Sequence, residues 1–275
     1  MFDSVLYRRL AKSYLALILS LMYVPMLIVA LASISKSRFF VFPVRRYDMK
    51  WYENTFSSLQ IHDGFLTSLT VAFCVALISV TLAVFGALAY ARHDWRGKSL
   101  FQQILLVPVF FPQSVLGLAL QLWFNSFGVV MSWEATVFAQ LVWIAPIVTL
   151  IISIQAFGYD ASVEEAATDL GASRWQVFRD ITIPLLGPGI VSGFMFAVLL
   201  SWGNFPLAYF TSGADVTIPE WLYGKMIGGY TPMVPAVGFL SVLVGALALA
   251  IGFSLKAFSG QKDYKIGRAS CRERV

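Results

Sequence analysis

The chain has 275 residues, of which 58% are hydrophobic and 13% charged, with a formal net charge of +5. Soluble domains average about 25% charged residues, and the apolar residues here form unbroken runs rather than amphipathic stripes. A soluble globular domain is excluded, and so modest a charge points to no nucleic-acid partner.

A helical bilayer crossing needs about 20 consecutive apolar residues. Six stretches free of Asp, Glu, Lys, Arg and His approach or exceed that length: Tyr14–Ile34, Ser68–Ala91, Leu100–Phe124, Thr136–Phe157, Gly189–Phe210 and Val237–Leu255. The expected fold class is therefore all-α, a polytopic membrane protein with six transmembrane helices. Arg8, Arg9 and Lys12 precede the first run, which closes on Ala30-Leu31-Ala32 in the manner of a signal peptide. The run is longer than the usual apolar core of roughly 7–15 residues, so we read residues 14–34 as a retained helix behind a cytoplasmic segment, 1–13, and 35–67 as an outer loop.

The second run carries Ala83, Ala87 and Ala91, a ridge of small side chains at helical spacing that suits close helix packing. Beyond it, Gly97-Lys98-Ser99 mimics the end of a phosphate-binding loop. Arg92 stands where the leading glycine would fall and the segment follows a membrane helix, so no phosphate cradle forms. His62 and His93 stand apart, without metal-ligand spacing. Pro108, Pro112 and Pro146 break the third and fourth runs, which membrane proteins tolerate where a helix lines a cavity or packs in protein. Candidate substrate-pathway residues lie nearby: Gln113, Ser114, Gln121, Asn125 and Gln140, then Ser201, Trp202, Asn204 and Tyr209. Each polar one, taken singly, reads first as a bond between helices.

The stretch Ser162–Pro188 differs from its neighbours by carrying Glu164, Glu165, Asp169, Arg174, Arg179 and Asp180. Ser162 with Glu165, and Ser173 with Gln176, have the spacing of capping boxes. Gly171 falls where the first helix ends in a left-handed turn, and Pro184 is expected to stop the second. Val163, Ala166, Ala167 and Leu170 make one apolar stripe, while Glu164, Glu165, Thr168 and Asp169 form the other side, with Glu164 expected nearer the exposed edge. Trp175, Phe178 and Ile181 line one face of the second helix. Residues 256–265 form a tail, and the last ten, IGRASCRERV, read as translated sequencing-adapter DNA. Setting those ten aside leaves 17 Lys+Arg against 14 Asp+Glu, and a single cysteine, Cys74, which excludes an intrachain disulfide.

Orientation follows from basic residues in the connections. With both termini cytoplasmic, eleven basic residues (in 8–12, 92–98, 174–179 and 256–265) lie inside and six outside, five of the six in the long first outer loop. Residues 158–188 are then cytoplasmic.

Glu165-Ala166-Ala167, three residues, Gly171, nine residues, Ile181, one residue, then Ile183-Pro184 resembles the EAA loop of ABC-importer permeases. The family pattern is EAA-x3-G-x9-I-x-L-P, and only its Leu departs, to Ile183. WYENTF at 51–56, TSLTVA at 67–72, ARHDWRGKS at 91–99 and TIPEWLYGKMIGGYTPMVPA at 217–236 extend the resemblance, the last toward the spermidine/putrescine branch. The resemblance implies a type I ABC-importer permease fold (MetI-like), with residues 68–255 as a five-helix transport core that includes the coupling loop 158–188. It implies coupling through Glu164, Glu165, Ala166, Ala167, Asp169, Gly171, Ile181 and Pro184.

The implied partners are an ATPase dimer, which binds the ATP and magnesium while this chain holds no cofactor, a second permease subunit or a copy of this one, a periplasmic or extracellular solute-binding protein, and the lipid bilayer. The implied location is a bacterial or archaeal cell (inner) membrane. The implied cargo is a polyamine or related small organic solute, although Gln113 and Gly203-Asn204 stand where similar polyamine permeases carry acids. The competing class is a stand-alone ion- or proton-coupled carrier, which would call for intramembrane acids or inverted repeats that this chain does not display.

Overall fold

A computed structural model describes the backbone of residues 5–37, 43–44 and 46–272. Apart from one bridging pair, Ser35 with Tyr47, the regular structure among them is helical: α1 (Val5–Ser33), α2 (Lys50–Ser57), α3 (Leu59–Arg92), α4 (Lys98–Phe110), α5 (Gln113–Ser126), α6 (Trp133–Gly158), α7 (Ser162–Asp169), α8 (Arg174–Val177), a π-helical turn (Phe178–Thr182), α9 (Ile183–Trp202), α10 (Pro206–Thr211), α11 (Ile218–Gly228) and α12 (Met233–Arg272). Helix is what lipid demands, because each backbone N–H and C=O must find its partner within the chain.

Among the described residues, five segments are long and apolar enough to cross a membrane: Arg8–Ser33, Leu59–Arg92, Trp133–Gly158, Arg174–Trp202 and Met233–Gly252. The third expected span, Leu100–Phe124, is not one straight helix. It is the pair α4 and α5, bent by 102°. Pro112 has no N–H to continue the ladder, and it drives Phe111 into an extended conformation with φ −71° and ψ 135°. The fifth span is also displaced. Its helix ends at Trp202, short of Phe210, because Pro206 opens a separate helix and the Asn204 Oδ1 accepts the Leu207 N–H at 3.1 Å.

The chain divides into two compact units, Met1–His62 with Trp221–Val244 and Asp63–Glu220 with Gly245–Val275. In the first, the end of α1 is stitched to α2: the Ser33 and Tyr52 hydroxyls lie 2.7 Å apart, and the Trp51 indole N–H donates to the Ser35 carbonyl at 2.7 Å. Trp and Tyr favour the membrane–water boundary, where an apolar ring keeps a polar tip wet.

The second unit is built on α3, α6 and α9. Its core joins Val75, Ala83 and Ala87 of α3 to Ile144, Val148 and Ile152 of α6 and Leu186 and Ala197 of α9. Lipid tails are as apolar as these side chains, so close van der Waals fit, not water exclusion, holds the helices together. Small residues supply that fit. Ala83 and Ala87 are wholly buried, and Gly189 and Gly193 let α9 ride directly on α6. A Cβ at Gly189 would lie 2.8 Å from the Gln155 Cβ, and one at Gly193 3.0 Å from the Val148 Cγ1.

Overpacking such a contact costs about 1–3 kcal/mol. Gly189→Leu is expected to lower the thermal unfolding temperature of the detergent-solubilised chain. Gly187→Leu, whose Cβ would meet nothing within 4 Å, should unfold like the wild type.

Candidate functional site

The charged segment after α6 forms an elbow, and its order is set locally. Tyr159 leaves α6 in extended conformation, and the Asp160 carboxylate accepts the Ser162 N–H at 3.0 Å. Accepting that backbone N–H holds the Asp160 carboxyl below the usual carboxylate range. The expected Ser162–Glu165 capping box is absent. Asp160 already occupies the Ser162 N–H, and Ala161, in helical conformation, becomes the cap residue of α7 without a side-chain cap.

The end of α7 follows the sequence reading. Gly171 has φ +89°, its N–H donates to the Thr168 carbonyl at 2.9 Å, and the Ala172 N–H reaches back to Ala167 at 3.0 Å. That pair of bonds is a Schellman ending. The Ser173–Gln176 capping box then starts α8 with both reciprocal bonds, at 2.8 and 3.4 Å.

Pro184, however, stops nothing. The chain from Arg174 to Trp202 is one continuous helical segment, with α8 passing through the π-helical turn into α9. In that turn the Ile183 N–H bonds the Phe178 carbonyl five residues back. The wider loop spares the Pro184 ring its clash with the carbonyl four residues earlier, and Pro184 sits in the first turn of α9, where proline is tolerated.

The two glutamates of α7 face different ways. Glu165 is exposed, and so are Ala166 and Asp169. Glu164 is half-buried, contrary to expectation, because its Oε1 accepts two hydroxyl bonds at 2.6 Å, one from Tyr159 and one from Thr182. Tyr159 in turn lies under the Arg92 guanidinium, 3.8 Å from the ring centroid, and the Arg92 Nη2 donates to the Tyr159 carbonyl at 3.1 Å. Burial, reinforced by the bond to Glu164 and opposed by Arg92, raises the Tyr159 hydroxyl pKa above its ordinary value. The apolar stripe faces outward: Val163 is 48% exposed and Leu170 89%, with Trp175 of α8 at 66%. Phe178 stacks between Trp175 and Phe85, at centroid distances of 5.6 and 6.1 Å. Ile181 is half-buried beside the buried Thr182.

The expected pathway residues are only partly brought together. Ser201 donates to the Gln140 Oε1 across α9 and α6, and the Asn204 Nδ2 donates to the Gln113 Oε1 at 3.5 Å across the helix break. Trp202 is buried with its ring 6.0 Å from that of Phe65. Ser114 and Asn125 are exposed, Gln121 is half-buried and Tyr209 is 49% exposed, and the hydrogen bonds just described join none of them to the buried pairs. Reading the sequence alone missed Arg92, Tyr159, Asp160 and Thr182. It also missed the Thr211–Thr136 hydroxyl bond of 3.1 Å. Only Asp160, two residues before a helix start, carried a local signal.

The second unit is thus a bundle of apolar helices with a charged elbow between α6 and α9. Residues 79–259 match the family described as "Binding-protein-dependent transport system inner membrane component", and the chain belongs to it: it is the multi-pass permease subunit of an ABC importer. It is 27% identical over 243 residues to the spermidine/putrescine transport system permease protein PotC of Haemophilus influenzae, covering 88% of this chain and 94% of that one. It is 30% identical over 240 residues to the putrescine transport system permease protein PotI of Escherichia coli K12, covering 84% of each.

Among solved structures, a bacterial ABC transporter that imports the acidic polysaccharide alginate aligns with a TM-score of 0.73 at 18% identity, covering 91% of this chain and 98% of that one. The MetNI methionine ABC transporter aligns with a TM-score of 0.59 at 16% identity, covering 72% and 93%. Permease subunits of this family are not themselves enzymes, and ATP hydrolysis belongs to a separate chain. The stand-alone carrier finds no support among these relatives.

A Cβ at Gly171 would meet nothing within 4 Å, so replacing it tests backbone conformation alone. Gly171→Val should cost roughly 1–3 kcal/mol through strain at positive φ. The expected outcome is a chain that still inserts but co-purifies with less ATPase, measured by pull-down from solubilised membranes.

Proposed function

We propose that this chain is one half of the translocation pathway of a polyamine importer, and that α7 is the helix it offers to the ATPase. The observation that carries the reading is the outward face of α7 and α8. Val163, Leu170 and Trp175 are apolar and exposed, and Glu165 and Asp169 flank them. Such a face fits a cleft with apolar walls and basic residues. A carboxylate meeting Arg or Lys in a partly buried cleft makes a charge-assisted bond that an amide cannot match.

In this reading an ATPase dimer binds ATP and magnesium, a second permease or another copy of this chain completes the pathway, and a solute-binding protein delivers the cargo from the far side. Both termini and the elbow are cytoplasmic. ATP hydrolysis moves α7, and the helices bearing the Gln113–Asn204 and Gln140–Ser201 pairs open alternately to the two sides. The relatives named for spermidine and putrescine support a small polyamine as cargo. No acid stands in the expected spans, so aromatic faces such as Trp202 and Tyr209 offer the attraction for an ammonium group.

Reconstituted with its ATPase, partner permease and binding protein, the chain should support ATP-dependent uptake of labelled putrescine or spermidine. Uptake of molybdate in place of either amine would contradict the cargo. Orientation is checked in a background with Cys74 and Cys271 replaced by Ala. Ser57→Cys should react with an impermeant maleimide on intact cells, and Ser99→Cys only after permeabilisation.

A further inference from the structure

Helix α7 poses a mechanical problem. It has eight residues and none of them is buried, whereas isolated helices shorter than about 12–15 residues are marginal in water. Val163 and Ala166 are exposed, as is Leu170 at its end, so they do not anchor it to its own chain. A segment that transmits force must nevertheless be held firmly by the helices it moves.

The Glu164 carboxylate supplies that hold. A single oxygen, Oε1, accepts the hydroxyls of Tyr159, which directly follows α6, and of Thr182, the last residue of the π-helical turn that leads into α9. Both distances are 2.6 Å, within the roughly 2.5–3.0 Å range of O–H···O hydrogen bonds, so an acceptor oxygen at this position is what the hold needs. Through Tyr159 the contact extends to α3. Arg92, the last residue of that helix, covers the Tyr159 ring and bonds its carbonyl. The three helices reached in this way, α3, α6 and α9, are the ones that make the core.

The π-helical turn has a part in this geometry. One inserted residue turns every later side chain by about 100° relative to an unbroken helix, and Thr182 lies at the end of the insertion, buried and directed at Glu164.

We propose that Glu164, rather than the exposed Glu165 beside it, is the positioning residue that latches α7 to the ends of α3, α6 and α9, with Tyr159 and Thr182 as the two arms of the latch. Glu165 is left to face the partner. The inference rests on α7 being the segment that meets the ATPase, but its first test does not need that partner.

Amide hydrogen exchange of residues 162–170 in the purified full-length chain reads the latch directly. The Tyr159→Phe/Thr182→Val pair removes both arms without touching α7, and should speed exchange there at least ten-fold while core amides of α6 stay protected. Glu164→Gln keeps an acceptor oxygen for both hydroxyls and should stay within three-fold of wild type, whereas Glu164→Ala should match the double variant. Adding Glu164→Ala to the double variant should change nothing further.

The reconstituted complex gives the second readout, putrescine imported per ATP hydrolysed. That ratio should fall at least five-fold in the double variant and hold in Glu164→Gln. Wild-type exchange in the double variant would overturn the latch. Loss of the ratio in Glu164→Gln, with the double variant normal, would also overturn it and make Glu164 a charge contact to the ATPase. A latch seen by exchange in a wild-type complex whose ATPase ignores the loaded binding protein would refute the transport reading instead.

Discussion

Hydrocarbon offers no hydrogen bonds, so every backbone N–H and C=O inside a bilayer must be satisfied by the protein itself. That constraint shapes this chain more than any side-chain preference does. It makes the membrane segments helical, and it confines their interruptions to places where something else repairs the ladder. At the break after Trp202 the Asn204 side chain takes up the Leu207 N–H. At the π-helical turn the Ile183 N–H reaches one carbonyl further back. Between α4 and α5 the Phe111 N–H bonds the Pro108 carbonyl at 3.3 Å before Pro112 ends the run.

These repaired breaks coincide with the polar chemistry. Gln113 opens α5 directly after one break, Asn204 sits within another, and the two meet. Thr182 closes the π-helical turn and meets Glu164. Small residues hold α3, α6 and α9 at close range, so a displacement of one helix end is shared by its neighbours. In our account the elbow is joined to that rigid trio, and the broken helices α4–α5 and α9–α10 hold the parts that rearrange for the solute.

What could be read in advance was what depends on adjacent residues. The apolar runs are visible because uncharged stretches of that length have few other uses. Gly171 and the Ser173–Gln176 box are visible because a helix ending and a helix start are each specified within about four residues. The errors arose where a nearby competitor or a distant contact intervened. Asp160 took the N–H on which a Ser162 box depended. Pro184 looked like a stop because nothing in the local sequence announces a π-helical turn. Glu164 looked exposed because its partners lie 5 and 18 residues away, and only the packing of α6 against α9 brings them together. Pro112 marked a break but not the size of the bend, 102°, and α5 beyond it packs against the distant α10, a contact no local pattern encodes.

The central claim is that the exposed apolar edge of α7 is covered by an ATPase and not by lipid. A photoreactive amino acid placed at Leu170, in cells expressing the whole transporter, tests it most directly. The account predicts cross-linking to the ATPase chain that is absent when the ATPase is omitted, and little cross-linking to that chain from a probe at Leu82, an exposed position on the membrane helix α3. Cross-links from Leu170 to lipid alone, or to no protein when the ATPase is present, would contradict it.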